Sequence, residues 1–246
     1  MYMKAMIFAA GLGTRLRPLT NNIPKALVPL NGIPLLELAI RRLKYYGFNE
    51  IIINVHHFAD KIMAFLEEKN NFDIEIHISN EEKILLDTGG GLKNAAWFLK
   101  DEPFLVVNAD IVTSLNLAEM VKFHQEHSFM ATLAVQTRES SRQMMFNDQN
   151  LLSGWRNHQT GEEIISRAIE NPTFYSFSGI HVINPEIFEL MPQEEIFPIM
   201  PFYLSVASNR RIGAFDHTGD IWEDVGKLNA IEKAEGLLSM ISGIST

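Results

Sequence analysis

Apolar positions along the chain come in two rhythms, and each stretch of rhythm predicts an element. Residues 4–10 form a short apolar run stopped by Gly11, with the length and flanks of a buried parallel strand. Leu35, Leu36, Leu38, Ala39, Leu43 and Tyr46 then recur at helical spacing, with Arg41, Arg42 and Lys44 between them and Pro34 suited to the first turn. Residues 51–55 read as a buried strand, 59–68 as a helix, and 74–78 as a strand in which Ile alternates with polar residues. This β-α-β-α-β rhythm implies a parallel sheet. Next come a helix capped by Thr88 and running to Leu99, a strand at 104–108, a helix at 118–127 and a strand at 130–137. Residues 138–172 are polar, with short strand candidates at 144–146 and 151–155, and 173–183 is a long strand. A helix at 197–207, a strand at 212–215 and an amphipathic closing helix with Leu228, Ile231, Ala234, Leu237 and Leu238 complete the pattern. The expected fold is α/β, a mixed, mainly parallel sheet flanked by helices, in a single domain over residues 1–246.

At 246 residues and 46% hydrophobic content the chain can bury a sizeable core. No apolar run approaches the roughly 20 residues of a membrane span, and residues 6–10 are too short for a signal peptide. The expectation is a soluble, cytoplasmic protein without a membrane partner. The sequence has no Cys, which excludes disulfides, thiolate metal sites and cysteine nucleophiles. Charge is distributed unevenly. Residues 1–36 hold Lys4, Arg15, Arg17 and Lys25 and no acid, while the whole chain carries a net −9. The acidic whole disfavours nucleic acid as a partner, whereas the local cationic loop suits a small phosphate compound.

That loop, GLGTRLRPLT followed by IPKALVPL, is the most informative stretch. Gly11 and Gly13 allow a tight turn and a close ligand, and Arg15, Arg17 and Lys25 stand beyond the carboxyl end of the first strand, where open α/β sheets bind ligands. A Walker A loop is absent, and Leu16 occupies the place of the third glycine of the dinucleotide fingerprint. Further along, DTGGGL at 87–92 places three glycines where each costs a helix about 1 kcal/mol. Ligand approach to backbone N–H groups explains them, with a surface turn as the alternative. Asn108-Ala109-Asp110 sets a carboxylate past a central strand, as a hard Mg²⁺ ion needs, though an ordinary turn residue also fits. Ser178-Gly179 lies mid-strand, which signals close approach of a ligand or a simple bulge. Glu223 and Asp224, ahead of the closing helix, are either capping acids or site carboxylates, and in an extended segment they face opposite ways. His56 and His57, near Asp60, admit a metal or general-base reading, but polar residues at a strand end are the preferred one.

The string GLGTRLRPLT with the following PK and its Pro-containing apolar turn resembles the opening of the sugar-phosphate nucleotidyltransferases, GxGTRLxPxT. DTGGG resembles the acidic-Thr-Gly-Gly-Gly form of their muramic acid uridylyltransferase branch, and Trp222-x-Asp224-x-Gly226 resembles the family's second metal site. The resemblance implies a Rossmann-like nucleotide-diphospho-sugar transferase fold and Mg²⁺ held by Asp110 and Asp224. It implies that Arg15 holds the β and γ phosphates and that Lys25 neutralises the α-phosphate and the sugar phosphate. It gives Ala9, Ala10, Gly11, Gly13, Thr14, Asp87, Thr88, Gly89, Gly90 and Asn108 to the nucleotide, and Gly179 with Glu223 to the sugar. The implied partners are a nucleoside triphosphate and a sugar 1-phosphate, with UTP and N-acetylmuramic acid 1-phosphate expected. The protein would be a monomer or homo-oligomer. Rivals are a guanylyltransferase for mannose or heptose 1-phosphate, a choline phosphate cytidylyltransferase, and a non-catalytic nucleotide-sugar sensor. The sequence departs from the pattern in one respect. The Glu-Glu-Lys-Pro motif that gives many relatives a second lysine is missing, and Arg156 and Arg167 are weak substitutes. The hexapeptide β-helix that follows the domain in some relatives is also not seen.

Overall fold

The computed structural model describes residues 3–244. Its centre is β1 (Lys4–Phe8), whose Ala5, Met6 and Ile7 are wholly buried because elements cover both faces of the strand. A ribbon of β2 (Pro29–Leu30) and β3 (Ile33–Pro34) leads into α1 (Leu35–Tyr45), which crosses to β4 (Glu50–Val55). The second crossover, α2 (Ala59–Glu68), reaches β5 (Glu75–Asn80). Then α3 (Asp87–Asn94) and α4 (Ala96–Leu99) carry the chain back past β1 to β6 (Phe104–Asn108). After β7 (Ile111–Thr113) and α5 (Leu117–His127) come β8 (Ala131–Gln136), β9 (Arg142–Phe146), β10 (Leu152–Asn157), β11 (Glu163–Ile165) and the long β12 (Thr173–Ile183). The last elements are α6 (Ile199–Val206), β13 (Ile212–Asp216), β14 (Trp222–Asp224) and α7 (Leu228–Leu237).

Ten strands make one sheet in the order β11-β10-β9-β12-β6-β1-β4-β5, with β8 pairing β12 and β13. The part around β1 is parallel, and β12 runs antiparallel to β6, β8 and β9, so the sheet is mixed as expected. Because the chain leaves β1 toward β4 and returns on the far side at β6, their carboxyl ends flank a topological switch point, where open α/β sheets hold ligands. In register, Phe8 lies beside Asn108.

Side-chain alternation divides the core. Ala5 and Ile7 face α1, α2 and α5 through Leu36, Ile40, Ile62 and Met120, and Met6 faces α3, α4 and α6 through Leu92, Leu99 and Tyr203. A third, smaller core joins the Gly-rich loop to the end of the chain, with Leu16, Val28, Leu30, Val112, Val225 and Ala234 together. It matters for the site because Leu16 and Val225, both at 0% exposure, are the neighbours of Arg15 and Asp224.

Several expectations shift. The first strand stops at Phe8, since the Ala9 N–H leaves the ladder for Asn54 Oδ1 at 2.8 Å. Thr88 is not a cap. The helix begins at Asp87, and the Thr88 hydroxyl accepts from Ile199 N at 2.9 Å, capping the start of α6 instead. The helical stretch is broken at Ala95 into α3 and α4. The helix expected from Phe197 begins at Ile199, because the Phe197 carbonyl accepts from Gly89 and Gly90 N. The edge strand β11 was not expected. Among the described residues no helix is long and apolar enough to cross a membrane.

Candidate active site

At the carboxyl ends of β1 and β6 the chain encloses a cavity of ≈ 490 Å³, within the usual range for small-molecule sites. One wall is the loop Ala9-Ala10-Gly11 and another is Asn108-Ala109-Asp110; Lys25 stands between them, and Asp87, Thr88 and Ile196 close the far side. Asn54 and Glu81 also line it. Asn54 joins them to the loop, accepting from Ala9 N and donating Nδ2–H to Glu81 Oε1 at 2.8 Å. Glu81 Oε2 accepts from Leu86 N at 3.3 Å. Burial pushes the Glu81 carboxyl above the usual range, and the Asn54 bond works against that shift.

Lys25 and Asp110 form an ion pair at the mouth of the cavity. Asp110 and Asp224 are drawn together by the ribbon of β7 and β14, in which Asp224 pairs with Ile111 and Val225 N donates to Asp110 O at 2.9 Å. Burial, and after it the Asp110 carboxylate, push the Asp224 carboxyl up, while Lys25 and Arg15 pull it down. Asp224 Oδ1 is buried with no hydrogen-bond partner. Gly226 lets these groups meet, since a Cβ there would stand 2.7 Å from both Arg15 Nη2 and Asp224 Oδ1. Arg15, Lys25, Asp110 and Asp224 therefore converge on one spot.

Two facing carboxylates, one with an orphaned buried oxygen, suit a divalent cation. Among the described residues no cluster of three or more ligating side chains exists. His56, just past the end of β4, has its Nδ1 2.7 Å from Glu81 O.

The remaining sequence candidates divide. Gly11 has open space where a Cβ would go and lines the cavity, whereas Gly13 turns the chain at φ 63 with a virtual Cβ 2.9 Å from Lys25 Cβ. Thr14 lies outside the cavity lining. Gly89 and Gly90 owe their missing side chains to protein packing, because virtual Cβ atoms there fall 2.3 Å from the Phe197 ring and 2.0 Å from Glu195 O. Their amides are spent on Phe197 O, so the expected approach of a ligand to those N–H groups is replaced by the chain's own backbone. Gly179 sits at φ 75 in a bulge of β12, where a Cβ would meet Asn108 Nδ2 at 2.8 Å. Glu223 points away from Asp224 and pairs with Lys233 on α7. Arg156 is bound to Glu163, and Arg167 Nη2 donates to Ala207 O at 2.6 Å, so both weak substitutes are occupied elsewhere. Sequence reasoning missed Asn54 and Glu81. For Asn54 alone a signal existed, a polar residue within the apolar run IIINV.

A cationic, Gly-rich loop and paired carboxylates at a switch point define a phosphate-handling α/β protein. The Nucleotidyl transferase family model matches residues 4–239, and the chain belongs to this family, the sugar-phosphate nucleotidyltransferases. It is 30% identical over 241 residues to an N-acetylmuramate alpha-1-phosphate uridylyltransferase of Neisseria meningitidis serogroup B, covering 96% of this chain and 98% of that protein. A UTP–glucose-1-phosphate uridylyltransferase of Synechocystis sp. is 31% identical over 212 residues, which is 80% of this chain and 53% of that one. A mannose-1-phosphate guanyltransferase of Hypocrea jecorina is 32% identical over 240 residues, 92% of this chain and 61% of that one. The chain thus spans little more than half of some of the curated relatives it matches. A putative glucose-1-phosphate thymidylyltransferase from Bacillus anthracis shares the fold, with TM-score 0.80 at 18% identity over 96% of this chain and 94% of the other.

Proposed function

We propose that the protein joins a nucleoside triphosphate to a sugar 1-phosphate, giving a nucleotide-sugar and pyrophosphate, with UTP and N-acetylmuramic acid 1-phosphate as the substrates. The observation that carries this reading is the convergence of Arg15, Lys25, Asp110 and Asp224 beside a cavity at the switch point. An oxygen of the sugar phosphate attacks the α-phosphorus, and the bond to pyrophosphate breaks in line. The nucleophile is already an anion near neutral pH, so no general base is needed. The barrier is the approach of two anions and the charge on the leaving group, which fixed cations lower. Lys25 offsets the repulsion where the phosphates meet, and Arg15 receives the departing β and γ phosphates. Asp110 and Asp224 would hold Mg²⁺, whose charge would neutralise the phosphate oxygens. Asp87, Thr88 and Asn108 contact the nucleoside, with Ala10 and Gly11, since the Ala9 N–H is already bound.

The choice of sugar rests on DTGGG and on the Neisseria relative, which matches almost end to end. The rival is a guanylyltransferase for mannose 1-phosphate, supported by relatives of similar identity. Pyrophosphate release with Mg²⁺ tests both, using UTP, GTP, CTP and dTTP against N-acetylmuramic acid, glucose and mannose 1-phosphates. Release confined to UTP with the muramic sugar is expected. Release with GTP and mannose 1-phosphate would favour the rival, and silence across the whole grid would reject these three sugars and carry the test to heptose 1-phosphate and choline phosphate before the catalytic reading gives way to a sensor.

A further inference from the structure

Arg138, just beyond β8, carries a charge that the site described so far does not use. Its guanidinium carbon lies 3.7 Å from the centroid of the Trp222 ring, and Nη2 donates to Phe177 O at 2.7 Å. Trp222 is fastened in turn, Nε1–H donating to Ser178 O at 2.9 Å. Ser178 Oγ is hydrogen-bonded to His217 Nε2 at 2.8 Å. Asp220 lies beyond at 3.5 Å from His217 Nδ1, so the three stand in the order of a hydrolytic triad, but Ser178 is completely buried and its hydroxyl reaches no substrate. The role of this chain is to hold Trp222, and through the stack Arg138, against the residues immediately before the Gly179 bulge.

The charge of Arg138 is not balanced by the protein. Asp224 and then Glu223 are the acids that act on it, yet among the described residues no carboxylate closes an ion pair with it, and Glu223 is taken by Lys233. Arg138 Nε is buried without an acceptor. A buried donor on a charged group left unpaired costs on the order of 1–3 kcal/mol or more, so an anion that supplies the partner is the natural occupant. A guanidinium offers parallel N–H groups to the two-oxygen edge of a phosphate or carboxylate, and the ring stack fixes its orientation in advance. Trp222 and Asp224 are two apart in an extended strand, so both face the same side. The Arg138–Trp222 pair therefore flanks the carboxylates, whereas Arg15 and Lys25 belong to the Gly-rich loop.

We propose, on the basis of the nucleotidyltransferase reading, that Arg138 binds an anionic group of the acceptor sugar phosphate and fills the place left by the missing second lysine. That group is either the 1-phosphate or a carboxylate carried by the sugar. Calorimetric titration with Mg²⁺ present separates the two, using glucose 1-phosphate, which lacks a carboxylate, and N-acetylmuramic acid 1-phosphate, which has one. Arg138→Met should weaken one or both sugar phosphates by about tenfold or more, with affinity for UTP or GTP, whichever the wild type binds, held within about twofold. Arg138→Lys should recover part of the loss. Equal weakening of both sugars assigns the 1-phosphate, and weakening of the muramic sugar alone assigns the carboxylate. Arg138→Gln, which keeps a donor for Phe177 O, replaces the Met variant if circular dichroism shows the latter unfolded. Unchanged sugar-phosphate affinity in a folded variant, or an equal loss of nucleotide affinity, overturns the assignment while leaving the nucleotidyltransferase reading intact. A wild type that binds nucleotide but none of glucose, mannose and N-acetylmuramic acid 1-phosphates overturns both the assignment and the choice of acceptor on which it rests.

Discussion

Lys25 and Asp110 neutralise each other, whereas Asp224 is half-buried beside Asp110 with an unpartnered oxygen. This asymmetry separates function from stability. Asp224→Asn removes a like charge that burial already penalises, so the protein without metal should become more stable. A relief of about 1 kcal/mol would raise the thermal midpoint by about 2–4 °C at this chain length, while turnover falls by about two orders of magnitude or more. A lower midpoint in a calorimetric scan would count against the proposed strain. Lys25→Ala should cost a similar factor in pyrophosphate release with circular dichroism unchanged, and full activity would remove Lys25 from the mechanism. The residues carrying these predictions were legible because their chemistry is local to a motif. Asn54 and Glu81 were not, since nothing near NEEK in the sequence says that one of its acids turns inward to meet an amide from β4.

At the scale of elements, α3 shows how a correct observation can have the wrong cause. Its three glycines do mark close approach, but the approaching atoms belong to the protein itself, the segment before α6 at Gly89 and Gly90 and the Glu81 and Asn54 side chains at Gly91. Gly90→Ala would drive a methyl to 2.0 Å from Glu195 O, a backbone atom that cannot swing away. Overpacking of this kind costs about 1–3 kcal/mol, which urea denaturation would register as a lower midpoint with an unchanged slope. Unaltered stability would mean that the segment before α6 gives way. The ribbon of β7 and β14 is another such case, because Asp224 becomes a neighbour of Asp110 only through pairing across more than a hundred residues.

The whole molecule responds to pH through histidines shut inside it. Burial lowers the His181 pKa from 6.5 to about 3, and His124 and His217 are lowered as well, burial again being the main cause. Below pH 6.5 the unfolded chain takes up protons that the folded chain refuses, so stability is lost progressively as pH falls toward about 3. For His181 alone, moving from pH 7 to pH 5 removes about 2 kcal/mol. Glu81 and Asp224, whose carboxyls are raised, act in the opposite sense over part of that range. A comparison of His181→Asn with the wild type by urea denaturation at the two pH values isolates the histidine. The variant should be less stable at pH 7 but lose about 2 kcal/mol less on acidification, and parallel losses would contradict a neutral buried His181.

Strand and helix periods are carried by neighbouring residues, so the sequence by itself determined the alternating βα start, the mixed sheet, the cationic Gly-rich loop and the carboxylate after β6. The same holds for the family, whose motif is contiguous from Gly11 to Leu30. The tertiary structure alone decided which amides remain for a ligand and that Glu223 turns away to Lys233. It also decided that Arg138, in a stretch without a motif, stacks on Trp222 beside the site. These outcomes depend on which backbone and side-chain groups meet across long separations in sequence. Hydrogen bonding and charge balance are settled by such meetings, and no local pattern encodes them.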